Sequence, residues 1–206
     1  MLPINAKIFK AYDIRGIYGE DFDNELAFLL GQAFVALREQ DSDYNPQVQL
    51  EIAVACDMRL SSPLLKDNLI RGLVTAGAKV IDLGMVATPT FYFAVGKNNY
   101  AGGIIVSASH NPKEWNGFKM VRRGGRPVSG ETGIEFLKEK ILENKFMPKK
   151  QVGQVVTLEN TLDEEINFAL SQVDLKKIKS LKIVADAANS MGATYLTKLF
   201  SHLPQC

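Results

Sequence analysis

Apolar positions along the chain switch repeatedly between helical and strand-like spacing. One helical stretch carries apolar residues three and four positions apart, at Leu26, Leu29, Leu30, Ala33, Phe34 and Leu37. Further helical stretches lie at 64–74, after Pro89 and at 134–142. Short apolar runs, which are typical of buried strands, lie at 52–56, 79–83, 103–108 and 117–121. Because helices alternate with apolar strands, we predict an α/β fold: a mixed, mostly parallel sheet with helices on both faces.

Turn and capping residues mark where several of these elements begin and end. Ser62 followed by Pro63 predicts a helix N-cap with proline at the first helical position, and Gly77 suits the end of that helix. Gly84 is expected to end the strand at 79–83. Asn116–Gly117 is a tight-turn signal, and we expect it to bring the chain back beside the preceding loop.

A change of composition divides the chain. It lies between 146 and 153, where Pro148-Lys149-Lys150 predicts a linker. We therefore predict a first domain at 1–148. Residues 149–206 would hold the linker and the incomplete start of a second, similar α/β domain.

The segment after the linker carries few elements. Thr161–Glu164 has the form of a capping box and should begin a helix. Residues 182–186 should form a strand, and 193–202 the helix after it. Two or three elements are too few to close an α/β domain, so we expect this chain to be the N-terminal part of a larger protein.

Composition and charge exclude several classes of protein. Of the 206 residues, 46% are hydrophobic and 23% charged, as in a globular domain and unlike a disordered or collagen-like chain. The 24 Lys and Arg against 23 Asp and Glu leave a net charge of +1, which argues against nucleic-acid or membrane-surface binding. No apolar run approaches the roughly 20 residues that a membrane helix needs.

The two cysteines, Cys56 and Cys206, form neither a metal-binding spacing nor a disulfide framework. The first residues, Met1–Asn5, lack the basic start and apolar stretch of a signal peptide. We therefore expect a cytoplasmic protein.

The most informative segment is Ser107-Ala108-Ser109-His110-Asn111-Pro112, which follows a buried strand directly. It should lie at the carboxyl end of that strand, where open α/β sheets bind ligands. Ser109 is the candidate nucleophile, and His110 beside it could orient it or transfer a proton. Pro112 restricts Asn111 to an extended conformation. The alternative is a plain polar turn, since Ser, Asn and Pro are common in turns.

Two basic residues could hold a phosphate near this loop. Arg15 carries a planar guanidinium that binds phosphate through paired hydrogen bonds, Tyr12 could add another, and Gly16 permits a sharp backbone turn. The alternative for Arg15 is a surface residue paired with Asp13. Lys119 could bind phosphate or shuttle a proton, whereas the commoner fate of a strand lysine is to reach solvent.

These segments together resemble the α-D-phosphohexomutase superfamily. The resemblance rests on FKAYDIRG at 9–16 and ASHNPKEWNGFKM at 108–120, with DMRLSSP at 57–63 and DLGMVATP at 82–89 between them. It covers essentially the whole chain and is closest to the bacterial phosphomannomutase/phosphoglucomutase group. Phosphoglucosamine mutase is an alternative, ranked lower because NGFKM at 116–120 is similar to the phosphomannomutase group.

The resemblance implies a phosphoserine mechanism. The serine that matches Ser109 is phosphorylated and donates its phosphoryl group to a hexose phosphate. The bisphosphorylated sugar reorients and returns its other phosphate, which moves phosphate between the C6 and C1 hydroxyls of mannose or glucose. Ser109 would also bind Mg²⁺ through its phosphate, and a glucose 1,6-bisphosphate-type activator would phosphorylate the serine first.

The resemblance also assigns roles to the other candidate residues. His110 and Lys119 would assist proton transfer or hold the charge of the site. Tyr12, Arg15 and Asn111 would bind the phosphate of the substrate.

Three residues and one missing motif complete this interpretation. Asp57 and Arg59 match a family motif and are interpreted as a structural pair, and Trp115 as packing of the loop. The family's Mg²⁺ loop, of Asp-Gly-Asp-x-Asp-Arg type, does not occur in the sequence, nor do the later domains that grip the sugar. Because the metal needs several oxygen ligands and the chemistry needs a positioned sugar, we expect negligible turnover from these residues alone.

Two readings from other classes stay open. One is a non-catalytic module that binds phosphosugars or partner domains, and the other is a structural α/β domain whose chemistry has decayed. Phosphorylation of Ser109 distinguishes the two kinds of site, because an enzyme-derived site should accept phosphate from a sugar bisphosphate and a binding module should not.

Overall fold

The computed structural model of the protein describes residues 2–147, 149, 151–188, 190–204 and 206. Its strands are β1 (Ile14–Ile17), β2 (Glu51–Cys56), β3 (Lys79–Met85), β4 (Gly102–Val106), β5 (Trp115–Arg122) and β6 (Gln154–Thr157). Its α-helices are α1 (Asn24–Arg38), α2 (Ser62–Thr75), α3 (Thr88–Lys97), α4 (Glu135–Glu143), α5 (Thr161–Ser171) and α6 (Gly192–Ser201). The predicted helices all form, and the predicted strands form up to β5.

The strands make one six-stranded sheet in the order β1-β5-β4-β2-β3-β6. Neighbours from β4 to β6 run parallel, while β5 runs antiparallel to both β4 and β1. The reversal has a simple cause: a loop too short for a helical crossover joins β4 to β5, so β5 must return beside the strand it follows. The mixed, mostly parallel sheet that we predicted is confirmed.

Helices cover both faces of the sheet, as predicted. On one face α1, α2 and α4 share a core with strand residues such as Val54 and Ile104. On the other face α3 packs through Phe91 against the alternate strand residues. The approach of α1 to α2 is so close that a Cβ on Gly72 would overlap the carbonyl oxygen of Phe28. No helix in the described part of the chain has the length and apolar content needed to cross a membrane.

The N-terminal caps of two helices differ from prediction. Ser62 is the first residue of α2, whose N-cap is Ser61, and the Ser62 hydroxyl donates instead to the Asp57 carboxylate at 2.6 Å. Helix α5 begins at Thr161 after Asn160 as the N-cap, so the predicted capping box does not form. Both hydroxyl residues are buried, and tertiary packing therefore overrides the local capping preference.

Two predicted turns are strand residues. Gly84 has a positive φ of 70°, yet β3 continues through it to Met85. Asn116–Gly117 lies inside β5, where both residues pair with β1. Pairing with β1 outweighs the turn preference of the Asn-Gly dipeptide. Gly77, in contrast, follows α2 with a φ of 89°, as predicted for its C-terminal end.

The C-terminal segment departs most from prediction. Residues 154–157 add to the sheet as β6, so the chain beyond the predicted boundary at 148 begins by extending the first sheet. The predicted strand at 182–186 does not form, because a strand needs hydrogen-bonded neighbours and none pairs with this segment in the described part of the chain. Pro148 and Lys150 of the predicted linker lie outside the described residues, and the boundary at 148 stays a prediction.

Candidate active site

The carboxyl ends of β2 and β4 lie side by side and carry the candidate site. The strands are parallel neighbours, and the Asp57 amide just past β2 donates to the Val106 carbonyl at the end of β4 at 3.0 Å. The loop that contains Ser109 therefore lies next to the loop that contains Arg59. Strands β5 and β1 then place Lys119 and Arg15 at the same edge, because Arg15 pairs with Gly117 in the antiparallel register.

Ser109 lies at an exposed position of the loop with an unusual backbone conformation. Its φ is 57°, in the left-handed region that L residues adopt rarely. Its amide donates to the Ser107 hydroxyl at 3.0 Å, and Ser107 itself is buried. Ser107 is buried and its hydroxyl accepts this hydrogen bond, whereas Ser109 is exposed, which favours Ser109 as the nucleophile.

Two predicted phosphate-site residues come together around one buried carboxylate, and a third is bonded to one of them. Arg15 donates to the Asn111 side-chain oxygen at 3.0 Å and pairs with Asp13 at 2.5 Å. The Lys119 ammonium lies 3.2 Å from the same Asp13 oxygen. Asp13 is only 2% exposed, so this is a fixed cluster of two cations and one anion, tied to the serine loop through Asn111. The pairing with Asp13 was the surface alternative for Arg15, but here that pair is part of the site.

His110 and Tyr12 are less constrained. His110 is exposed, and its side chain has no hydrogen-bond partner among the described residues. Tyr12 is 70% exposed, and within the described ranges its hydroxyl likewise has no partner. Both belong to segments of the site, but neither is joined to Ser109, Arg15 or Lys119 by a bond in this structure.

Arg59 is the residue that sequence reasoning understated. Its ion pair with Asp57 forms, with Nε 3.4 Å from the carboxylate, as expected of a structural pair. The same guanidinium also donates to three backbone carbonyls of the loop that holds Ser109 and to that of Trp115, where β5 begins. The position of the motif at 57–63 could have indicated this role, because the motif follows β2, and β2 adjoins β4 in the sheet.

Asn116 supports the same edge from β5. It is fully buried, and its amide nitrogen donates to the hydroxyls of Ser61 and Ser62 at 2.8 and 3.0 Å. Beside it, a Cβ on Gly117 would overlap the Ile14 carbonyl oxygen. The residues predicted as a turn therefore link three segments of the site.

Burial makes Cys56 a poor competing nucleophile at this edge. The side chain ends β2 and is 2% exposed. Loss of solvation raises the pKa of the Cys56 thiol to about 11, so the thiolate is scarce at neutral pH.

Mg²⁺ does not fit the described residues on their own. Within the described ranges no group of three or more His, Cys, Asp or Glu side chains is placed to hold a metal ion. Hard cations need several oxygen ligands. A cavity of about 910 Å³ between α6 and the ends of β3 and β6 lies away from the serine loop and does not supply such a site.

The comparisons with known proteins identify the family. Residues 6–147 match the family described as phosphoglucomutase/phosphomannomutase, alpha/beta/alpha domain I. This chain belongs to that family. It is 37% identical over 191 residues to a phosphomannomutase of Vibrio cholerae, covering 93% of this chain and 40% of the relative. It is 36% identical to a phosphoglucomutase of Neisseria meningitidis, covering 98% and 42%.

A solved structure gives the same result. The phosphoglucomutase/phosphomannomutase family protein of Burkholderia thailandensis superposes with a TM-score of 0.79 at 33% identity, over 98% of this chain and 43% of that one. The resemblance seen in the sequence is thereby confirmed. The chain spans about two fifths of the length of the curated relatives that it matches.

Proposed function

We propose that this chain supplies the phosphate-carrying serine of a hexose phosphate mutase, an isomerase that interconverts hexose 6-phosphate and hexose 1-phosphate. The observation that carries the proposal is the serine loop: Ser109 is presented at the carboxyl edge of the sheet, and Arg15 is bound to that loop through Asn111. The names of the relatives, phosphomannomutase and phosphoglucomutase, support mannose and glucose phosphates as substrates.

The chemistry proposed for Ser109 is phosphoryl transfer in both directions. In one direction the bond between phosphorus and the serine Oγ breaks and a bond from phosphorus to a sugar hydroxyl oxygen forms. The sugar hydroxyl proton passes to a base, and the serine Oγ takes up a proton to become a hydroxyl again. His110 and Lys119 are the candidates for assisting these proton transfers or holding the charge of the site. Because such transfer depends mainly on positioning and on neutralising phosphoryl oxygens, the cations Arg15 and Lys119 suit the site.

We propose that both metal binding and turnover need more of the protein than these 206 residues. A phosphate on Ser109 would offer Mg²⁺ ligands from one side chain only.

Tyr12 is proposed to bind the sugar phosphate beside Arg15, and its exposure leaves it free to do so. We also propose a cytoplasmic location, because both cysteines are free, as is usual in a reducing compartment.

Phosphate mapping tests the proposal. Because metal binding is proposed to need the later domains, this chain is joined to those of the Vibrio cholerae phosphomannomutase, incubated with glucose 1,6-bisphosphate and Mg²⁺, digested with trypsin and examined by mass spectrometry. Trypsin should release residues 98–113 as one peptide, in which fragmentation separates Ser107 from Ser109. We expect a single phosphate on Ser109 and none in Ser109→Ala. Phosphate on Ser107, or equal incorporation in the variant, would contradict the proposal and favour a binding or structural role.

A further inference from the structure

The guanidinium of Arg59 is fully engaged by the loop that carries Ser109. Nη2 donates to the carbonyl oxygens of Ser109 at 3.0 Å and Asn111 at 2.6 Å. Nη1 donates to those of Pro112 at 2.6 Å and Trp115 at 3.0 Å. An arginine has five N–H donors in one plane, and four of them are directed at three carbonyls of this loop and at that of Trp115, where β5 begins.

The fifth donor group holds Arg59 itself in place. Its Nε lies 3.4 Å from Asp57 Oδ2. The other Asp57 oxygen accepts from the Arg59 amide at 3.0 Å and from the Ser62 hydroxyl at 2.6 Å. Both side chains of the pair are largely buried, with 14% and 13% exposed. Arg59 is thus anchored to the start of α2 while it binds the serine loop.

We infer that Arg59 is the positioning residue that holds Ser109 in its left-handed conformation for phosphoryl transfer. The inference rests on the proposed function only in taking Ser109 as the reacting group. The peptide before Ser109 is held by the Ser107 hydroxyl, and the peptide after it by Arg59. Rotation of either peptide would break a hydrogen bond, so the disfavoured φ of 57° persists.

Arg59 and Arg15 therefore have separable roles. Arg15 donates to Asn111 and Asp13 with its side chain 32% exposed, which leaves donors for a phosphate. Arg59 has no such donor left. Loss of Arg59 should lower the rate at saturating sugar phosphate, whereas Arg15→Lys should raise the concentration needed for half-saturation.

Lysine cannot replace Arg59 in this role. An ammonium is a single point with three donors and cannot reach four carbonyls arranged around a planar fork. Arg59→Lys keeps the positive charge and most of the alkyl stem, so it tests the planar arrangement of the guanidinium donors rather than the charge.

The test compares Arg59→Ala, Arg59→Lys and the control Arg71→Ala. Arg71 lies exposed on α2, and its side-chain hydrogen bond goes to Asn68 of the same helix. Amide hydrogen exchange is measured over 107–115 and over β2. We expect exchange in the loop to rise at least about tenfold in both Arg59 variants, with β2 and the control unchanged. Millimolar guanidinium ion should restore part of the protection in Arg59→Ala.

The second readout is the initial rate of phosphate transfer from glucose 1,6-bisphosphate to Ser109, measured over a range of bisphosphate concentrations in the protein completed with the later domains. We expect the saturating rate to fall at least about tenfold in both variants, with half-saturation changed by less than about twofold. Unchanged loop exchange in a folded Arg59→Ala protein overturns the inference, as does a wild-type rate in Arg59→Lys.

Failure of the proposed function would give different results from failure of the role inferred for Arg59. If the wild-type protein completed with the later domains accepts no phosphate on Ser109, the proposed function fails, while loop exchange and guanidinium rescue still decide the role of Arg59. If Arg59→Ala does not fold, as judged by thermal denaturation, the same two measurements on Arg59→Lys decide it.

Discussion

Asp13 is the residue on which the basic side of the site depends. One of its oxygens faces both Arg15 and Lys119, and the other is buried with no hydrogen-bond partner in the described part of the chain. A buried carboxylate with an unsatisfied oxygen persists only where its charge is needed. Here that charge lets two cations lie close together beside the serine loop.

Asp13→Asn should therefore destabilise the protein. The amide removes the negative charge and leaves Arg15 and Lys119 next to each other without an anion. We expect the free energy of unfolding to fall by about 1–3 kcal/mol, measured by urea denaturation at neutral pH. Asp67→Asn, at an exposed position of α2, is the matched control and should change little. An equal effect of the two substitutions would contradict this account of Asp13.

The two cysteines should differ in reactivity. The pKa of Cys56 is raised to about 11 by burial, so at pH 8 the residue is a thiol, whereas the reactive form is the thiolate. Cys206 is partly exposed. A thiol-disulfide reagent at pH 8 should modify one cysteine quickly in the native protein and two in denaturant. In Cys206→Ser the fast reaction should vanish, and a persistent fast thiol would show that Cys56 is accessible.

At the scale of elements, the pairing of β1 with β5 carries the site. Arg15 and Gly117 face each other across the two strands, and a side chain at Gly117 would meet the backbone of β1. The absence of a Cβ there is what allows β1, and with it Arg15, to lie against the strand that holds Lys119.

Gly117→Ala should separate these two strands. We expect a loss of at least about 2 kcal/mol of stability, together with weaker phosphosugar binding because Arg15 moves with β1. Gly96→Ala in α3 is the control, since a Cβ there meets nothing and alanine favours a helix. Urea denaturation compares the two, and a stable Gly117→Ala protein would show that the strands adjust.

At the scale of the whole molecule, the described residues bring the serine loop and its cations together but supply no carboxylate cluster for a metal. The apolar residues at and just before the predicted strand are exposed, with Leu181 at 54%, Ile183 at 46% and Val184 at 91%. This explains why the strand predicted at 182–186 fails: an apolar run becomes a strand only beside another strand.

The 206-residue chain alone should show negligible mutase turnover, even where Ser109 carries phosphate. Positioning of the sugar supplies most of the rate in such chemistry, and the proposed function assigns only the serine and its neighbouring cations to this chain. A coupled assay for interconversion of hexose 1-phosphate and 6-phosphate should give rates no higher than Ser109→Ala. A rate near that of the full-length Vibrio cholerae phosphomannomutase would contradict the prediction.

The sequence alone determined the α/β alternation, the buried strands β2 to β5, and the place of Ser109 just past a strand, because apolar spacing is a local property that the chain carries in order. Only the tertiary structure decided the partners of the polar side chains. Arg15 reaches Asn111 across 96 positions, and Lys119 reaches Asp13 across 106. No spacing within one segment encodes such contacts, since the order and register of the strands create them. For the same reason Arg59 resembled one half of a local ion pair until β2 and β4 lay side by side.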